Sequence, residues 1–192
     1  MATPPRKPVE NAVGDLVLTE PRAMLALAAP GRLRIFDTIR REGPLSAAAL
    51  AAALDLAAPE VEAALAEFEE CGLAVTEGAE WRAAGRGFIF ELPDDPEGLV
   101  AARQLANAVL RQNLDLPRRW LEDDEPRLAV DWLRASGALN ARLALTPDEL
   151  REFQAGLELL IEPFATRRAA DAPDGAALVR ILAYFMPEAP AP

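Results

Sequence analysis

The side chains best suited to chemistry in this chain are arginines and carboxylates, because the usual catalytic and metal-binding types are missing or solitary. No histidine occurs. That removes the commonest general base, the usual partner of a nucleophilic serine or cysteine, and the commonest metal ligand. Cys71 is the single cysteine, so it closes no internal disulfide, and one thiol without histidine cannot build a four-coordinate metal site. Between Glu70 and Gly72, at the end of a helical pattern, it reads as a packing residue rather than a redox or metal sensor. The run Glu122-Asp123-Asp124-Glu125 lacks the glycine and ligand spacing of a calcium loop and reads as a solvated loop. Asp148 and Glu149 are adjacent, but a helix start already accounts for both, and Gly85-Arg86-Gly87 is a hairpin element rather than a phosphate loop. No nucleophile–base pair can be assembled from these residues. The expectation is a non-enzyme with no catalytic residues, no metal and no cofactor.

What remains is recognition chemistry. Arg40 and Arg41 lie at the end of a helical pattern and outside its apolar stripe, and Arg82 and Arg86 lie in a β-prone stretch. Guanidinium groups placed in this way can neutralise phosphates. Trp120, Trp132 and Phe153, with Phe164, Tyr184 and Phe185, either line a ligand pocket in the C-terminal half or form ordinary core.

The composition supplies enough material for a fold to hold such groups. Apolar residues make up 51% of the 192, ample for a packed core, although alanine supplies much of that and favours helix more than burial. A net charge of −11 favours solubility and opposes nonspecific binding to phosphate or anionic membrane. Asp55 and Arg180 interrupt the longest apolar stretches before they reach membrane-spanning length, and MATPPRKPVEN lacks the apolar core of a signal peptide. The expected location is cytoplasmic, with no membrane partner, and the lone cysteine fits a reducing compartment.

Element signals follow in order. Thr19-Glu20-Pro21 pairs a capping hydroxyl with a first-turn proline, and a short helix runs to Pro30-Gly31. A second helix buries Leu33, Ile35, Phe36 and Ile39 and stops at Gly43-Pro44. Ser46 caps a third helix that ends near Asp55, and Pro59 opens a fourth with Val61, Ala64, Leu65 and Phe68 inward and Gly72 closing it. Two short helices joined by three or four residues make a helix-turn-helix pattern. A hairpin follows, from Leu73-Ala74-Val75 through a turn at Glu77–Glu80 to Trp81-Arg82, with Phe88 to Leu92 as a further β-prone return.

Pro96 opens a long helix with Leu99, Ala102, Ala106, Val109, Leu110 and Asn113 near one stripe, ended by Pro117. After a loop, Ala138 to Leu145 alternates as a strand. Thr146, Pro147 and Glu149 then specify a helix start by a capping box, and Arg167-Arg168 suit that helix's negative end. Ala177 to Phe185 reads as a last strand able to pair with the first. The expected fold is mainly α with small β, a winged helix-turn-helix domain plus a C-terminal helix-strand-helix-strand extension. The expected divisions are a disordered tail over 1–15, the winged domain over 16–95, a dimerisation and effector region over 96–187, and a second tail over 188–192.

The stretch PGRLRIFDTIRREGPLSAAALAAALDLAAPEVEAALAEFEECGLAV resembles the winged helix-turn-helix of ArsR-like bacterial transcription regulators, and WRAAGRGFIF is similar to their wing and return strand. Further on, DWLRASG, LALTPDELREF and VRILAYFMP are similar to the C-terminal region of a bacterial regulator subfamily. The resemblance runs from about Leu16 to Pro187. It implies a homodimer that binds duplex DNA, with the fourth helix in the major groove and the wings beside phosphates, and it leaves room for a small-molecule effector or a protein partner.

The positions that the resemblance turns toward the groove read Ala57, Ala58, Glu60, Glu62, Ala63, Ala66 and Glu67. Alanine can touch a thymine methyl and glutamate can accept from a cytosine amino group, but neither holds phosphate. Each exposed carboxylate facing a polyanion costs roughly 0.5–1 kcal/mol. Glu60 and Glu62 also stabilise a helix start by the dipole. The expected DNA-contact set is therefore Arg82, Arg86, Arg40 and Arg41 with Ala58, Glu60, Glu62 and Ala63, and the contact is weakened. The alternative is a protein-protein interaction module that reuses the winged-helix fold without DNA binding.

Overall fold

The computed structural model describes residues 7–167 and 169–189; residues 1–6 of the expected first tail, Arg168 and the last three residues lie outside them. The fold is mainly α with two small sheets. No described helix is long and apolar enough to cross a membrane.

Strands β1 (Val9–Glu10) and β2 (Asp15–Leu18) form an antiparallel hairpin where the sequence predicts an unstructured tail. The physical reason is local. Asn11 Oδ1 accepts from the backbone N–H groups of Val13 (3.2 Å) and Asp15 (2.9 Å), and Gly14 takes φ 85°, which closes a tight turn. Leu16 and Leu18 then point into the core.

Helix α1 (Pro21–Ala28) begins with Pro21 in its first turn, but its N-cap is Glu20 and no side chain caps it, so Thr19 does not play the expected role. Helix α2 (Arg32–Glu42) buries Leu33, Ile35, Phe36, Thr38 and Ile39 and ends at Gly43. Ser46 caps α3 (Ala47–Leu54) by accepting from the Ala49 N–H at 3.2 Å, as its sequence predicts. Helix α4 (Ala58–Glu70) buries Val61, Ala64, Leu65 and Phe68. At the centre, the Phe36 ring meets Phe68 and Phe88 edge-on, at centroid distances of 6.1 and 5.7 Å.

Strands β3 (Ala74–Glu77) and β4 (Glu80–Ala83) form the expected hairpin. The return strand β5 (Gly87–Phe90) does not extend that sheet; it pairs in parallel with β2, in register Asp15↔Gly87 to Leu18↔Phe90. Two glycines permit the approach: a Cβ at Gly85 would lie 2.7 Å from Leu16 Cγ, and one at Gly87 would lie 2.6 Å from Asp15 Oδ1.

Helix α5 (Pro96–Asn113), capped by Asp95, packs on α1. Its buried face is Gly98, Ala101, Ala102 and Leu105, rotated from the expected stripe, so that Leu99 and Leu110 are exposed. The small residues bring the two backbones together, which a stripe of larger side chains would prevent. Pro117 starts rather than ends an element: it lies in the first turn of α6 (Leu116–Arg119), which is followed by a π turn from Trp120, a 3-10 turn to Arg127, and α7 (Val130–Ala135).

The two expected C-terminal strands are not formed, so the extension is helical without its strands. Residues 138–146 and 177–189 form neither helix nor strand and are exposed, and among the described residues their one backbone–backbone bond is the Thr146 carbonyl accepting from Leu150 of α8. Between them lies α8 (Pro147–Ala165), whose capping box is complete. The Glu149 N–H donates to Thr146 Oγ1 at 3.3 Å, and the Thr146 N–H and hydroxyl donate to Glu149 Oε2 at 2.7 and 2.8 Å. These bonds from Thr146, first its backbone and then its hydroxyl, hold the Glu149 carboxyl below its ordinary pKa. The cap therefore contributes above the usual glutamate range and is lost as pH falls through the lowered value. Thr146→Ala is expected to cost about 0.5–2 kcal/mol, read as a lower melting temperature with reduced far-UV helicity; an unchanged melting curve would place the helix start elsewhere.

Candidate nucleic-acid interface

Helices α3 and α4 are joined through Asp55, which takes a left-handed conformation (φ 54°), with the Leu56 N–H donating to the Ala51 carbonyl at 3.0 Å. The segment before α3 is tied to the hairpin after α4. The Leu45 N–H donates to the Trp81 carbonyl (3.0 Å) and the Trp81 N–H to the Leu45 carbonyl (2.8 Å). Leu45 thereby adds a third segment beside β4, and the α3–α4 pair is held against the β3–β4 hairpin as one unit.

Burial of Val61, Ala64, Leu65 and Phe68 fixes which side of α4 faces solvent. Ala58, Glu60, Glu62, Ala63 and Ala66 are exposed. Helical periodicity puts Pro59, Ala63 and Ala66 at the centre of that outer face and glutamates along its edges. The structure separates those glutamates. Glu67 is half-buried and paired with Arg32 at 3.0 Å, while the Arg32 guanidinium lies over the Phe68 ring at 5.9 Å. Glu67 therefore turns toward α2 and not outward as expected. Glu60 lies on the same flank, with its carboxylate beside Gly31. Glu70 pairs with Arg22, and Glu69 accepts from the Thr76 hydroxyl at 3.3 Å. Glu62 has no ion-pair partner among the described residues. Intramolecular arginines thus take up part of the negative charge that the sequence alone assigns to this face.

Three of the four expected phosphate-binding arginines come together. Arg40, Arg82 and Arg86 line one open cleft of about 320 Å³ between the end of α2, β4 and the β1–β2 turn; Arg41 is not part of it. Arg40 pairs with Asp37 at 3.0 Å and also donates to the Arg86 carbonyl at 3.1 Å. Arg82 pairs with Glu77 across the hairpin. Arg41 donates to the Asp37 carbonyl at 3.2 Å. Arg86 has no ion-pair partner among the described residues, and its stem packs over Gly14. Beside it, burial pushes the Asp15 carboxyl above its ordinary pKa; Arg40 and Arg86 oppose that shift and Glu158 adds to it. The N-terminal hairpin, in a stretch where the sequence predicts a tail, supplies this wall of the cleft. The pattern Asn11…Gly14 followed by alternating Leu16 and Leu18 is the signal that identifies it.

The three expected pocket aromatics make no ring contact with one another among the described residues. Trp120 lies in the helical turn after α6, Trp132 in α7 and Phe153 in α8. Phe153 meets Phe185 edge-on at 6.0 Å, and among the described residues neither tryptophan makes a ring contact. Cys71 is buried at the end of α4, and that burial pushes its thiol pKa up, away from the reactive thiolate.

No family model matches the chain. The chain is similar to the arsenic resistance transcriptional regulator ArsR1 of Pseudomonas putida, at 32% identity over 114 residues, which is 59% of this chain and 80% of that relative.

Proposed function

The chain belongs to the ArsR family of transcriptional regulators, and from that premise we propose that it is a cytoplasmic, homodimeric winged helix-turn-helix regulator that binds duplex DNA. In this reading α4 enters the major groove and the β3–β4 hairpin is the wing. The observation that supports it most is the Leu45–Trp81 bridge, which joins the hairpin to the helix pair and makes a rigid reading head of them. Arg86, with Arg40 and Arg82, supplies the positive charge for phosphate, while Ala58, Glu60, Glu62 and Ala63 are the base-facing set on α4. Dimerisation through α5 and α1 is part of the proposal, because Leu25, Leu99 and Leu110 remain exposed on the outer sides of that helix pair. Light scattering is expected to give twice the 20.7 kDa chain mass.

The relative's arsenic role is not carried over. Thiophilic ions select thiolate ligands, and the single thiol here is buried with a raised pKa.

A second reading, a protein-interaction module on the same fold, is favoured by one feature: the outer face of α4 is alanine edged by glutamate and carries no lysine or arginine. A mobility-shift titration at low salt separates the two, using the promoter of the protein's own gene and random duplex. A regulator shifts its own promoter, and Glu62→Gln strengthens the shift because a repulsive charge is removed while the shape is kept. No shift at tens of micromolar, with binding gained only after the glutamate change, leaves the interaction module standing.

A further inference from the structure

We infer that the C-terminal region of this chain, α8 with the non-helical segments 138–146 and 177–186, is half of a folded unit whose other half is the same region of a second copy. The proposal deepens the dimer reading above: it places a shared core where the single chain has none.

The first ground is area. A compact monomer of this mass exposes about 8,900 Å²; this chain exposes 13655 Å², an excess of roughly 4,700 Å², enough to supply the roughly 1,000–2,500 Å² that each partner of an obligate dimer covers. The second ground is where the excess lies. Leu105 is the last buried residue among those described. Every apolar side chain of the C-terminal region is therefore open or half-open, with Leu139 91% and Leu160 71% exposed.

The third ground is the kind of surface. Leu139, Ala141, Leu143 and Leu145 alternate, as a strand with one covered face does. The last segment carries Val179, Ile181 and Phe185 on one side and Leu178, Leu182 and Tyr184 on the other, the pattern of a strand covered on both faces. The Phe153–Phe185 ring contact holds the last segment to α8 of its own chain, and the Arg142–Glu188 ion pair ties the first segment to the chain just past the last. The result is a single layer, and stable folds bury such a layer against a second. A two-fold pairing of identical layers supplies it, because each surface then meets its own copy. Phe164 and Leu160 on α8 become central contacts.

The experiment uses the full chain and two variants, Leu160→Asp on α8 and Leu110→Asp on α5, with sedimentation equilibrium and amide hydrogen exchange across a dilution series. The expected results are a wild-type dimer in which amides of 138–146 and 177–186 are protected and lose protection on dilution, and dimerisation at least about 100-fold weaker in Leu160→Asp. The exchange of α2 and α4 amides stays unchanged in that variant, which shows that the core has not unfolded. A dimer broken by Leu110→Asp but untouched by Leu160→Asp overturns the shared core and keeps the dimer. A wild-type monomer throughout overturns both. Protection of the two segments that does not change with concentration shows that they pair within one chain, and also overturns the inference.

Discussion

Phe36→Ala is expected to destabilise the protein by about 3–5 kcal/mol, the largest single effect among core changes. Phe36 has no solvent exposure and sits between Phe68 of α4 and Phe88 of β5. Its removal therefore opens a cavity where α2, α4 and the β2–β5 sheet meet. Against a total stability of about 5–15 kcal/mol, a loss of this size lowers the melting temperature by about 6–20 °C. The check is thermal or urea unfolding of wild type, Phe36→Ala and Phe36→Leu. The leucine variant retains most of the volume and should fall between the other two. A Phe36→Ala protein with wild-type stability would show that the three rings do not form the centre of the fold.

The joint change Arg82→Ala and Arg86→Ala is expected to weaken binding to every duplex sequence and to lower the slope of log affinity against log salt by about two. The two positions act for different reasons. Arg86 forms no ion pair among the described residues, although Asp15 feels its charge, so its guanidinium is the least engaged of the three cleft arginines. Arg82 already faces Glu77, and its removal leaves that carboxylate uncompensated beside the polyanion. Arg41→Ala, outside the cleft, is expected to move the slope less. The measurement is affinity by fluorescence anisotropy at several salt concentrations, with operator and random duplex. An unchanged slope in the double variant would take the cleft out of the DNA interface, whatever α4 does.

Legibility of the fold divided along the range of the interactions. The stripes Leu33, Phe36, Ile39 and Val61, Leu65, Phe68, the Ser46 cap, the Gly43 stop and the Thr146–Glu149 capping box all lie within a few residues of the groups they satisfy, and periodicity with capping chemistry exposes them. The buried face of α5 shares only Ala102 with the expected stripe, because Gly98 and Ala101 look neutral in a pattern dominated by Leu99 and Leu110. Close packing on α1 selects the small residues for the contact.

The candidate site divides in the same way. Arginines at 40, 82 and 86 are visible in the sequence as charges outside apolar stripes, and so is the glutamate-rich face of α4. That Arg32 neutralises Glu67, that Glu77 faces Arg82, and that three arginines meet over the β1–β2 turn depend on pairings between segments far apart in the chain. By itself, then, the sequence determined α2, α3, α4 and α8, the Ser46 and Thr146 caps and the inward faces of α2 and α4, because each is settled by groups within a turn or two. Only the tertiary structure decided that β5 leaves the hairpin for β2, that Leu45 joins Trp81, and that residues 138–146 and 177–189 stay unpaired in a single chain. A strand carries half of its hydrogen-bonding pattern in its own residues; the other half belongs to whichever edge folding brings beside it.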